Sequence, residues 1–212
     1  MSDGDDEANL AALQGACEEA KETVNHQMNW LQQMDTKAVK ILRAVLVLIG
    51  LLLTALSVSV RSSSIQITQF VNLFTIAGGL ALVLSSISAA ITYIASSFEA
   101  GIGRRDLTEA IDEGYTEVKF HTELAKGYSN WIQFNQYVLQ YNAIILALTI
   151  IFVINAITFL TAGAIVGVLQ VAFSPASTVV FAALVIFLVG VDILVYKSEA
   201  IIVWYFDTRE AD

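Results

Sequence analysis

Residues 127–191 read GYSNWIQFNQYVLQYNAIILALTIIFVINAITFLTAGAIVGVLQVAFSPASTVVFAALVIFLVGV, 65 positions without one Asp, Glu, Lys or Arg. An uncharged apolar run of 18 or more residues is the signature of a membrane-spanning helix, and this run holds two spans with their connection. GVLQVAFSPAS divides it, giving a span over 141–165 and another over 176–196. Pro175 suits the first turn of a helix, where its missing N–H would have no partner, and Ser174 before it is an N-cap residue.

Two further runs lie upstream. Between Arg43 and Arg61 stands AVLVLIGLLLTALSVSV, giving a span over 41–60; after Arg61 no charge occurs until Glu99, giving a span over 71–95. The expected fold class is therefore all-α: a polytopic integral membrane protein with four transmembrane helices and long cytoplasmic helical extensions. Composition agrees, since 15% charged residues and a mean hydropathy of +0.66 are far from the roughly 25% charge of soluble domains. A single cysteine, Cys17, excludes a disulfide-stapled secreted scaffold. The acidic start MSDGDDEANL does not read as a signal peptide, which would be basic there.

Basic residues set the orientation, because they favour the cytoplasmic side of span ends. With the N-terminus inside, ten of the 11 Lys and Arg fall inside and only Arg61 falls outside. This places both termini in the cytoplasm of a plasma-membrane protein. Tyr93, Phe98, Tyr137, Tyr141, Tyr196 and Trp204 gather at the inner ends of spans, as an aromatic belt does. The net charge of −9 belongs almost wholly to the inner face. Such a surface repels nucleic acid, and an acid excess with few lysines matches the cytoplasm of a halophilic archaeon. Short outer loops leave no extracellular ligand to expect.

The segments between spans have their own order. Residues 1–8 form an acidic, disordered start, and 9–40 form a helix continuous with the first span. Its apolar positions recur by sevens, at Leu10, Cys17, Val24, Leu31, Ala38, Val45 and Leu52, and at Leu13, Ala20, Gln27, Met34, Ile41, Leu48 and Ala55, with Gln27 the polar exception. An unbroken stripe of that period calls for a partner helix, as in a coiled coil. Residues 101–140 supply one, with Asp106 as cap, Glu109 three residues on, and Leu107, Ile111, Tyr115, Val118, Ala125 and Ile132 as its apolar face. Residues 197–212 form a cytoplasmic tail whose KSEAIIVWYFDTRE suits a short amphipathic helix. Trp30-Leu31-Gln32 and Trp131-Ile132-Gln133 precede the first and third spans at similar distances, the pattern of a parallel internal repeat.

Candidate sites are few. Ala77, Ala81, Ser85 and Ala89 make a small-residue stripe, for close helix packing inside the bundle or at an oligomer seam. Asp192 is the only acid within a span, five residues before Lys197. Intramembrane acids are functional suspects, whether paired or serving ion or proton movement. Asn155, midway along the third span, is the other polar candidate. His26 and His121 have no companion at metal-ligand spacing, the glycines at 101 and 103 lack the phosphate-loop pattern, and Ser63 has no nucleophile elbow. No catalytic residue, cofactor or metal is expected.

The stretch 30–57, WLQQMDTKAVKILRAVLVLIGLLLTALS, with Asp35, Lys37 and Ala38 ahead of its apolar run, resembles the start of the small helical membrane effectors of prokaryotic antiphage systems, the SLATT and Pycsar-type transmembrane families. That resemblance implies a membrane-disrupting effector under the control of a sensor or cyclic nucleotide. Those families usually have two spans, where four are read here. Three functions follow from the sequence: a non-enzymatic, oligomeric membrane protein whose cytoplasmic helices bind one another or a membrane-protein partner; a pore-forming or permeabilising effector; and a membrane-embedded enzyme without recognisable motif.

Overall fold

The computed structural model describes the backbone of residues 3–61, 70–95, 97–169 and 175–210, and within these the side chains of 9–58, 70–95, 97–169, 177–193 and 197. All regular structure among the described residues is helical: α1 (Asp3–Arg61), α2 (Leu73–Ile94), α3 (Arg104–Asp112), α4 (Glu117–Val168) and α5 (Pro175–Glu210). Three of these, α1, α2 and α4, are long and apolar enough to cross a membrane, and the described part of α5 adds an apolar stretch over Ser177–Ile193.

Several boundaries differ from the sequence reading. α1 begins at Asp3, ahead of Asn9. The segment 101–140 is two helices, and the second continues through the expected boundary at 140 without a break. α5 runs past 197 to Glu210, so no separate tail helix starts there; neither Gly nor Pro occurs between 191 and 210 to end it. Ser174, Ser63 and the side chains of Arg61, Tyr196 and Trp204 lie outside the described residues.

The chain forms two compact units, one of residues 1–37 and 92–144, the other of 38–91 and 145–212. In the first unit, α1 runs parallel to the early turns of α4. The Gln14 amide donates to Glu117, the Cys17 thiol to the His121 carbonyl and the Gln27 amide to the Ile132 carbonyl, so partners rise together with an offset of 103 to 105 residues. Cys17, Val24 and Leu31 are buried at that contact's stripe, as the heptad reading requires. Trp30 and Trp131 are not equivalent: the first is exposed, the second half-buried.

α3 starts at Gly103, which serves as N-cap. Asp106, expected to cap, sits instead inside the first turn, because the Leu107 N–H already bonds the Gly103 carbonyl. α3 ends in a Schellman turn: Tyr115 N–H bonds the Ala110 carbonyl, Gly114 N–H bonds that of Ile111, and Gly114 has φ +60°. That left-handed conformation favours glycine. Thr116 then caps α4, its hydroxyl accepting from the Lys119 N–H at 3.3 Å.

In the second unit α2 is antiparallel to α4. Asn72 caps α2, its Oδ1 accepting from the Thr75 N–H at 3.0 Å, while its Nδ2 donates to the Gly163 carbonyl at 2.9 Å. Ser85 donates to the Thr149 carbonyl. Val45, Ala81, Leu82 and Ala156 form the apolar core. The helices approach so closely that a Cβ on Gly163 would stand 2.5 Å from Thr75 Oγ1 and one on Gly78 would stand 2.9 Å from the Leu160 backbone nitrogen. Gly79 has open space instead.

Gly163→Ala and Gly78→Ala should each lower the thermal midpoint in detergent, with a loss of about 1–3 kcal/mol from overpacking. Gly79→Ala should be neutral or slightly stabilising, by helix propensity. Equal midpoints for all three would contradict the close approach.

Candidate functional site

The two polar candidates read separately from the sequence stand together. Asn155 Nδ2, on α4, donates to both carboxylate oxygens of Asp192, on α5, at 3.1 and 3.0 Å, and also to the Ile151 carbonyl at 3.0 Å. The bond to Ile151 fixes the amide's orientation: turned over, it would set two acceptor oxygens against each other. Asn155 therefore presents a donor to the carboxylate. Both side chains are half-buried, and no Lys or Arg among the described residues forms an ion pair with Asp192. Spacing from Lys197 places Asp192 near the end of its own apolar run, yet its partner lies midway along that of α4. Phe159 stacks on Phe181, which meets Phe74 edge-on at 5.0 Å, so aromatic rings join α2, α4 and α5 in the same unit.

The small-residue stripe is consumed inside the chain. Ala81, Ser85 and Ala89 are buried, whereas Ala77 is half-buried. Thr75, Gly78, Leu82, Ser85, Ala89 and Thr92, all buried, trace a 3-4 spacing along α2 that shares Ser85 and Ala89 with that stripe. A step of four drifts around an α-helix of 3.6 residues per turn, while alternating three and four stays on one face.

Sequence reading missed the corresponding stripe on α4. Asn135, Asn142, Thr149, Ala156 and Gly163 recur every seven residues, and all five are buried. Polar side chains at a heptad spacing inside an uncharged run were the available signal. Asn135 is the best satisfied: its Oδ1 accepts from the Glu99 N–H at 3.0 Å and its Nδ2 donates to the Glu99 carbonyl at 2.8 Å. It thereby pairs a backbone residue outside any helix, which buried chain requires. Asn142 is fully buried, with neither amide atom partnered among the described residues.

Cys17 is buried, and that burial pushes its thiol up from the ordinary value, which disfavours the thiolate. His26 is exposed beside Glu22 at 3.5 Å. No group of three His, Cys, Asp or Glu among the described residues is placed to hold a metal ion. No protein-family model, curated protein or solved structure matches the chain.

Asn155→Leu should destabilise the protein more than the Asn155→Leu/Asp192→Leu double substitution, because the single change leaves a carboxylate without its described donor. A double-mutant cycle on thermal midpoints should return a coupling of about 0.5–2 kcal/mol. A coupling of zero would remove the pair as an interaction.

Proposed function

We propose that this is a four-span, non-enzymatic membrane protein of the plasma membrane with both termini in the cytoplasm. Its first unit is the working surface, for self-association or for a membrane-protein partner. One observation carries the reading: the outward side chains of the second unit include Leu46, Val47, Leu51, Leu80, Ile186 and Phe187, a large apolar exterior that a water-borne domain does not present. Lipid is the solvent that suits it. The apolar stretch Ser177–Ile193 is 17 residues, about 25 Å of helix, at the short end of what spans a bilayer; it is read as the fourth span. In the first unit, by contrast, Glu18, Glu19, Lys21, Arg104, Arg105 and Asp112 are exposed, which suits water.

The topology is tested with a cysteine at Glu109. Since Cys17 is buried and its thiol is pushed up, the native residue gives a quiet background. Glu109→Cys should react with an impermeant maleimide only after the cytoplasmic side is opened; labelling of intact cells would overturn the orientation.

A second reading, a pore or permeabilising effector, is favoured by the Asn155–Asp192 contact and by the resemblance of residues 30–57. An acid among apolar helices is costly to keep without a use. It predicts that Asp192→Asn changes ion flux through liposomes containing the protein by about tenfold in either direction; unaltered flux would remove this second reading.

A further inference from the structure

We infer that the cleft between α3 and the early turns of α4 binds a methylated ammonium cation. The cavity measures about 440 Å³, within the usual range for small-molecule sites. Three aromatic side chains line it, Tyr115, Phe120 and Trp131, together with three carboxylates, Asp106, Glu109 and Glu123.

Their states define the ligand. Glu123 is engaged by the Lys126 ammonium at 2.7 Å. Glu109 accepts from the Tyr115 hydroxyl at 3.3 Å, and neither Glu109 nor Asp106 forms an ion pair among the described residues. The lining thus carries three carboxylates against one ammonium, Lys126, a negative balance that disfavours an anion. The carboxylates do not converge as metal ligands do, and a small hard cation demands several oxygens at fixed distance. A cation that is large and weakly hydrated needs neither, and aromatic faces are its best lining.

The rings are held in place for this. The Lys119 ammonium, paired with Glu113 at 3.1 Å, lies 3.7 Å from the Tyr115 ring centroid and holds that ring by one face. The Schellman turn at Gly114 delivers Tyr115 to the cavity. The Trp131 ring lies against α4, 3.5 Å from where a Cβ on Gly127 would stand, and Tyr128 meets it edge-on at 5.1 Å. Preset rings cut the ordering cost of binding.

This inference rests on the first unit lying in water, which the Glu109→Cys labelling reports independently. The test uses the full chain with Trp30→Phe and Trp204→Phe, leaving Trp131 as the one tryptophan. Choline chloride is titrated against potassium chloride at constant ionic strength, with 3,3-dimethyl-1-butanol as the uncharged equivalent of choline. Trp131 emission should change saturably with choline and not with potassium or the alcohol. Saturation-transfer NMR on the choline methyl protons should give the same order. Asp106 and Glu109 are exposed on α3, which has no buried residue, so Asp106→Asn/Glu109→Gln should keep the thermal midpoint while weakening choline about tenfold. No saturable choline response by either method, an equal response to the alcohol, or unchanged affinity in the double variant would each overturn the site, even where Glu109→Cys labelling places the unit in water.

Discussion

Packing in the second unit depends on how near α2 comes to α4. Van der Waals contact and interhelical hydrogen bonds between helices both need short distances. Glycine at 78 and 163 supplies the distance, and the Asn72 amide, shared between its own helix start and the Gly163 carbonyl, converts it into a bonded register. Ser85, Thr149 and the core at Val45, Leu82 and Ala156 then follow as the next layers of the same seam. A larger residue at either glycine would have to move backbone as well as side chain.

The first unit is held by a different device. In its irregular segment after α2, Glu99 has both backbone groups satisfied by one amide, Asn135. An asparagine does this well because its side chain carries a donor and an acceptor in the geometry of a peptide group. The segment ahead of α3 is thereby pinned at Glu99, and the aromatic cleft beyond it is bounded by the turn at Gly114 and the cap at Thr116.

Much of the helical content was legible in the sequence, since uncharged runs and a heptad stripe are long, periodic signals. The α1 positions Cys17, Val24, Leu31, Ala38 and Val45 are all buried, as their period requires. What escaped was the identity of contacts. Asn155 and Asp192 were each visible as polar residues in apolar runs, but 37 residues separate them, and nothing local reveals that they meet. The α4 stripe escaped for another reason: it is built of Asn and Thr, so a search for apolar periodicity passes over it. Boundaries moved where no Gly or Pro marked an end, as at 140 and 197. Asp106 lost the cap because Gly103 takes the position without a side chain.

The parallel pairing of α1 with α4 has a consequence for synthesis. The stripe on α1 emerges about 104 residues before its partner, and at roughly 5–20 residues per second that is about 5 to 20 s of translation. Throughout that interval Cys17, Val24 and Leu31 have no intramolecular cover from α4. During its own biogenesis the chain must therefore carry an unpaired apolar edge, open to capture by any helix of the same period, including the α1 of another nascent copy.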